Sequence, residues 1–406
     1  MVDLVELNPS VPEFDCLDVD DVVSFLPMEQ VWPDALGLGE ARKGDVENGY
    51  TRFSEGDLLL PKISPTFSHG RSAIAKGLLG GVGAGTTELH VLRPRPGVSV
   101  RWLYYLTKSA RFMQEGEGTL YGVAGQKRIS TKWLHDFEVH AFSYSEQLMI
   151  AKWLDRECTR IDRLSSELKH QHTLLDERDR VAIKRLVTGL DESGSRLNLG
   201  PWWLGSTPTS WTPQKISRNF LTGSGTTPKS GDPRYYGGLH YWLTTSECRD
   251  GLVVESAKTV TDEALDEYSS LRFYPSGSLV VAMYGATIGK LAILGAPMTV
   301  NQACAVLYRP IELDTHFVYW WLWAHRAELM AMGEGGGQPN VSQDVIRQLV
   351  VPAPSLETQQ LIVQKIEELR AWSQRMRLLS EQQSTLLTEH RTAVITAAVT
   401  GQMEVA

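Results

Sequence analysis

The sequence is poor in the features that mark secreted, membrane and catalytic proteins. Its four cysteines, Cys16, Cys158, Cys248 and Cys304, lie far apart. No pair has the spacing of a zinc knuckle, and four are too few for a disulfide scaffold, so a reducing, cytoplasmic setting is expected. No apolar run approaches the 18 residues that cross a bilayer; the richest, 317–323, has seven residues. The opening MVDLVELNPS lacks the basic start and apolar stretch of a signal peptide. Charged residues make up only 22% of the chain, and hydrophobic residues 42%. That balance excludes a disordered tail, and 406 residues suffice for two cores.

Catalytic signatures are missing as well. There is no HExxH, no GxSxG and no Walker loop. The glycine-rich GLLGGVGAGTTE at 77–88 lacks the Lys-Ser/Thr ending of a phosphate loop. GATIGK at 285–290 has only three residues between its glycines. Both read as flexible turns between strands. His170 and His172 are two apart on a helical segment and do not share a face. Asp18, Asp20 and Asp21 lack the pattern of a calcium loop. No catalytic residue, cofactor or metal ligand is expected.

The net charge of −8 argues against a nucleic-acid partner if taken alone. Its distribution softens the objection. Residues 1–61 hold 14 acidic and 3 basic side chains, and residues 62–143 hold 5 acidic and 11 basic ones.

What the chain does have is a copy of part of itself. GQKRIS from Gly125 aligns with GQPNVS from Gly337 at an offset of 212. The register continues without a gap to VTG at 187–189 and 399–401, with 18 identities in 65 positions. Each copy contains a long helical pattern. In the first, Leu154, Ile161, Leu168, Leu175 and Ala182 fall at a seven-residue period, one seam of a coiled coil. Ser143 and Glu146 form a capping box at its start, and Gly189 ends it. In the second, Ile362, Ile366, Leu369, Met376, Leu379, Gln383, Leu386 and His390 give a three-four rhythm after Pro352 and Pro354. Forty residues make a rod of about 60 Å. Two equal rods bury their stripes by packing on each other; the alternative is that each packs on its own globular part.

Strand-like runs precede each helix, at 57–62, 89–94, 278–284 and 304–310. A Gly/Pro/Ser-rich connector covers 190–212, and its Trp202, Trp203 and Trp211 read as packing anchors. The expected fold class is α+β: two globular domains, 1–143 and 205–354, with long helices at 144–189 and 355–401 and a linker at 190–204. The duplication predicts an antiparallel coiled coil with pseudo-twofold symmetry.

This ordered set resembles the specificity subunits of Type I restriction-modification systems. The resembling residues are VSFLPMEQV (23–31), FSEGDLLLPKISP (53–65) and GTTELHVLRP (85–94) in the first half. In the second they are GTTPKSGDPRYYGG (225–238), Trp242, YPSGSLVVAMYGATIGKLAIL (274–294), VNQACAVLYRP (300–310), GQPNVS (337–342), VPAP (351–354) and AVTGQ (398–402). The resemblance implies that each globular part is a target recognition domain reading one half of a split double-stranded DNA site. It implies that the helices act as a ruler and as a dock for two methyltransferase subunits, with restriction/translocase subunits in the full complex. The subunit itself would be non-catalytic. One departure stands out: the second half opens with PTSW (208–211) and some 14 residues before GTTPK, and the first has no such lead-in. The first domain is then of a different recognition class, or takes its first strand from the chain's C-terminus.

Phosphate and base contacts call for Arg, Lys, Asn and similar side chains. In the first domain the candidates are Lys62, His69, Arg71, Lys76, Lys127 and Arg128. In the second they are Lys229, Arg234, Tyr235, Lys290 and Asn340, with Tyr235 and Tyr236 placed to stack or lie against sugar. The competing reading is a coiled-coil scaffold that binds proteins only. An enzyme with methyltransferase or nuclease motifs in the same chain is disfavoured by the absence of those motifs.

Overall fold

The computed structural model describes residues 1–122, 127–198, 205–333 and 340–405. They form two compact units, one of Met1–His170 with Leu379–Ala406, the other of Gln171–Leu378. Each unit is α+β and owns half of each long helix, which run Tyr144–Thr188 and Leu356–Val399.

The first unit holds two four-stranded sheets. One has the order Val5–Leu7, Leu89–Pro94, Leu58–Pro61, Ala73–Ile74 and is antiparallel throughout. The other has the order Gly39–Arg42, Val22–Leu26, Val82–Gly85, Thr51–Ser54, with a parallel central pair. The second unit is built on a five-stranded sheet in the order Leu221–Ser224, Cys304–Tyr308, Leu279–Ala282, Leu291–Leu294, Gly251–Val253. A three-stranded sheet, with Tyr236–Leu243 at its centre, stands beside it. Gly225 makes that arrangement possible: a Cβ there would lie 1.6 Å from the Val300 carbonyl oxygen.

The duplication reaches further into the globular parts than the sequence reveals. Leu58 pairs with Leu92 and Leu92 with Leu7; in the second unit Leu279 pairs with Leu307 and Leu307 with Thr222. A short helix follows in each, Val100–Leu106 and Thr315–Ala324, N-capped by Ser99 and Asp314. A buried glutamine from the first turn of each long helix fastens that cap. Gln147 Oε1 accepts from Ser99 N at 2.9 Å while its Nε2 donates to Phe142 O. Gln359 does the same with Asp314 N at 2.8 Å and Pro354 O. The Ser143–Glu146 capping box is present: Ser143 N donates to the Glu146 carboxylate at 2.7 Å, and Glu146 N to Ser143 Oγ.

The halves differ where the sequence departs. In the second unit Thr212–Lys215 pairs with Val350–Ala353, and Ile216 N then donates to Leu349 O. In the first, the Met1 ammonium donates to Phe137 O, so Met1 stands where Ile216 stands. Residues 138–141, the counterparts of Val350–Ala353, form no strand. Nor does the C-terminus supply one among the described residues; Met403 and Val405 instead pack against the unit's apolar core.

The two long helices run antiparallel in both units. In the first unit Leu154, Cys158 and Ile161 share a core with Ile395, Ala398 and Val399, and Arg391 pairs with Asp162. In the second, Ile183 and Val187 share a core with Ile362 and Ile366, and Asp179 meets Ser373. The seven-residue seam read for the first helix is buried or half-buried at Leu154, Ile161, Leu168, Leu175 and Ala182. The rhythm read for the second helix is corrected beyond Leu369. Met376, Leu379, Gln383, Leu386 and His390 are exposed; Ser373, Arg377, Ser380, Ser384, Leu387 and Arg391 face inward. Apolar residues on the outer face repeat with the same spacing as a seam, while the true seam there is largely polar.

Candidate nucleic-acid interface

Each unit has one corner where candidates from distant parts of the sequence meet. In the first, the chain leaving Leu58–Pro61 runs beside the segment that leads into Thr131–Asp136. Ile129 N donates to Lys62 O at 2.9 Å and Ser64 N to Lys127 O at 2.8 Å, and Ile63 is bridged to Arg128. In the second, the chain leaving Leu279–Ala282 meets the segment leading into Gln343–Gln348. Val341 N donates to Met283 O at 2.9 Å, and Tyr284 is bridged to Asn340. The same backbone bond thus recurs in equivalent places. It brings Lys62, Lys127 and Arg128 together in one unit, and Asn340 and Lys290 together in the other. Lys290 joins because its carbonyl accepts from Ala282 N at 2.9 Å. Of the two repeated loops, residues 125–126 and 337–339 lie outside the described residues, as do Trp202 and Trp203. Trp211 is buried, with its ring 6.1 Å from Phe317.

The corner residues are not equally available. Lys62 Nζ donates to Thr87 O at 2.9 Å, and burial lowers its pKa. Arg128 holds Glu88 through two bonds of 2.7 and 2.5 Å, which pull the Glu88 carboxyl below its ordinary pKa. These two charges fix the loop. Lys127, Lys290 and Asn340 are exposed.

His69 and Arg71 lie on the loop that continues from Lys62; His69 is exposed. The Arg71 guanidinium stacks 4.6 Å over the exposed Trp32 ring. Lys108 pins that loop from beneath, donating to Gly70 O and Ser72 O; its burial pushes its pKa down to about 7. Lys76 is exposed beyond the next strand, beside turn amides at Gly77 and Leu78 held by Glu55.

The third group sits on the smaller sheet of the second unit. Lys229 is exposed, and its amide donates to Tyr268 Oη at 3.1 Å. Arg234 is engaged by Asp232 at 2.9 Å and Glu263 at 3.1 Å. Tyr235 is corrected: it is 2% exposed, its hydroxyl donates to Glu267 at 2.6 Å, and it has no face to offer a base. Tyr236 is tied to Pro228 O at 2.7 Å, and Trp242 Nε1 to Thr226 O at 3.1 Å. The GTTPK…RYYGG…W pattern therefore builds a clamp on the loop that carries Lys229.

Two aromatic residues at the corners carry no signal that the sequence pattern exposes, Tyr121 and Tyr284, both on the surface. For Tyr284 the available hint is an aromatic at a strand end directly before glycine, six residues from Lys290. Among the described residues no cluster of His, Cys, Asp and Glu suits a metal ion, and no helix is long and apolar enough to cross a membrane.

Comparison with known proteins bears on this arrangement. Residues 211–377 match the family described as Type I restriction modification DNA specificity domain. The Type I restriction enzyme EcoEI specificity subunit of Escherichia coli is 31% identical over 206 residues, 50% of this chain and 34% of that protein. The EcoAI specificity subunit of the same organism is 39% identical over 130 residues, 31% of this chain and 22% of that protein. The chain thus matches about a third and a fifth of the length of these relatives. The solved HsdS subunit of Thermoanaerobacter tengcongensis superposes with a TM-score of 0.62 over 98% of this chain and 97% of its own, at 13% identity. A second chain, from a structural study of assembly and conformational transition in the type I R-M system, gives 0.70 over 95% and 93%, also at 13%. Those two likenesses are of fold.

The second unit thus contains a segment that matches a DNA specificity domain, and the chain shares the fold of those two solved chains. What the chain shares with the specificity subunits of Type I restriction-modification systems is a matching domain over residues 211–377, partial similarity to two such subunits, and a fold.

Proposed function

We propose that this chain gives a Type I restriction-modification complex its DNA sequence preference. Each unit reads one half of a bipartite, asymmetric double-stranded site, and the antiparallel helices set the spacing between the halves. The chain supplies no catalytic residue; methyltransferase and restriction/translocase subunits docked on it do the chemistry. The observation that carries this reading is the duplicated corner, where one backbone framework presents Lys127 in one unit and Lys290 with Asn340 in the other. Equal frameworks with unequal side chains suit two half-sites of different sequence.

Two methyltransferase copies are supported by a second duplication. Met149, Leu164 and Leu174 are exposed on the first helix, and Leu361, Met376 and Leu386 are exposed at the equivalent positions of the second. Apolar residues left wet at matching places suit two copies of one partner.

Arg71→Ala and Lys229→Ala test the reading in the assembled methyltransferase. If the replaced side chain touches phosphate, binding should weaken for every sequence and the salt slope should fall by about one. If it touches a base edge, the substitution should cost about 1–3 kcal/mol at one position of one half-site. Wild-type affinity and slope in both variants would place the DNA on another face. An assembled complex with no sequence preference would favour the scaffold reading.

A further inference from the structure

We infer that Tyr121 and Tyr284 contact DNA, Tyr121 at the half-site read by the first unit and Tyr284 at that read by the second. The inference rests on the specificity reading and names residues that it does not contain.

Among the described residues, five aromatic side chains are exposed in the globular parts: Trp32, Tyr50, Tyr121, Phe273 and Tyr284. Three have partners. Trp32 lies under Arg71, Tyr50 packs edge-on to Phe25 at 5.4 Å, and Phe273 packs against His240 at 5.2 Å. Tyr121 (59% exposed) and Tyr284 (45% exposed) keep their rings on the surface, Tyr121 close enough to the Arg128 guanidinium to interact with it electrostatically. They are also the two that sit at the corners.

The backbone beneath each is fixed. Tyr121 N donates to Arg128 O at 3.1 Å, and Arg128 N donates back at 2.9 Å. Arg128 is itself bridged to Ile63 and held by Glu88, so the strand end under Tyr121 is secured from two sides. Tyr284 is bridged to Asn340, and its carbonyl accepts from Thr287 Oγ1 at 2.8 Å. Gly285, at φ +58°, turns the chain sharply just after it. In both cases the main chain is committed and the phenol stays exposed.

A phenol on a rigid support has two χ angles to freeze, an apolar face and a hydroxyl that donates or accepts. Each corner also carries exposed groups that a base or phosphate needs: Lys127, the residue before the Arg128 that pairs with Tyr121, and in the other unit Asn340, bridged to Tyr284, with Lys290 bonded through its carbonyl to Ala282. An asparagine amide can pair with adenine N6 and N7, and a ring face can pack on a sugar or a thymine methyl.

The test uses the assembled methyltransferase, with Tyr→Ala and Tyr→Phe at each position. Binding is measured against single-base variants of each half-site at two salt concentrations. Each Ala variant should lose roughly ten- to a hundred-fold in affinity for the specific site. Preference should relax in one half-site only, a different one for each tyrosine. The salt slope should stay at the wild-type value, because no charge is removed. Phe restores binding if the ring face makes the contact and fails to if the hydroxyl does; thermal unfolding of all four variants should match the wild type. Wild-type discrimination at both half-sites in both Ala variants overturns the inference while leaving the specificity reading intact. A wild-type complex without sequence preference overturns both.

Discussion

Replacing Asp179 with alanine should destabilise the second unit by about 3 kcal/mol or more. Its carboxylate is 1% exposed and lies in the seam between the long helices. Ser373 Oγ donates to it at 2.6 Å, Arg178 at 3.0 Å, Arg377 at 3.3 Å and Arg370 at 3.4 Å. Removal leaves the proton of the buried Ser373 hydroxyl without its acceptor, although its oxygen still accepts from Arg178 at 2.7 Å, and leaves cations facing a void. The arginines reach solvent at their outer ends, which keeps the cost near the lower end of the range for a broken buried pair. In a unit of this size that is a fall of roughly 6–12 °C in its unfolding midpoint. A double change, Asp179→Leu with Ser373→Leu, should recover part of the stability, because an apolar pair needs no hydrogen-bond partners while Arg178, Arg370 and Arg377 turn their outer ends to solvent. A buried polar residue in a coiled-coil seam also fixes register. The Leu/Leu variant should therefore be stable yet tolerate slippage, detectable as methylated sites with more than one spacer length. Calorimetry of the three proteins checks the first part, and sequencing of methylated sites checks the second.

Lengthening both helices should lengthen the DNA spacer and leave the half-sites unchanged. Four residues inserted between Glu167 and Leu168 add about 6 Å, close to two base pairs of B-DNA. They turn the downstream helix by roughly 400°, some 40° past a full turn, so the seam stays nearly aligned. The matching insertion must lie at the same level of the partner helix. Repeat symmetry alone points to Leu379 and Ser380. The contact between Asp162 and Arg391 instead places Glu167 and Leu168 opposite Thr385 and Leu386, and the second insertion belongs there. With both in place, methylation should move to sites whose non-specific spacer is one or two base pairs longer. An unchanged spacer with full activity would mean that something other than the helix pair sets the distance. Altered bases with the old spacer would mean that the wrong part of the chain was assigned to reading.

Much of this architecture is legible in the sequence, and its illegible parts have physical causes. Ser143 and Glu146 mark the start of the first helix because a capping box needs only local chemistry. The seam at Leu154, Ile161 and Leu168 is legible because apolar residues there repeat with the period of the contact. The second helix misleads, since Met376, Leu379 and Leu386 keep that period on a face turned to solvent, while Asp179 is answered by Ser373 and Arg377. The repeat in the globular parts is hidden by loops of unequal length. The offset of 212 becomes 215 between Leu92 and Leu307, and 221 between Leu58 and Leu279. Among the candidate contacts, polarity identifies Lys127, Lys290 and Asn340 as exposed side chains. It cannot show that Glu88 holds Arg128 or that Glu267 and Tyr268 bury Tyr235, because those partners are distant in sequence or in packing. The tyrosines at the corners are illegible for the converse reason: nothing local tells an exposed aromatic from a core one.

If the chain decides which DNA sequence its complex modifies, its loss should erase one methylation motif. Sequencing of methylated positions in host cells, with the gene present and with it deleted, tests that most directly. One bipartite motif, two different short half-sites at a fixed separation, should be methylated when the gene is present and unmethylated when the gene is deleted. A methylation pattern that is the same in both strains, in cells whose methyltransferase subunit is active, would contradict it.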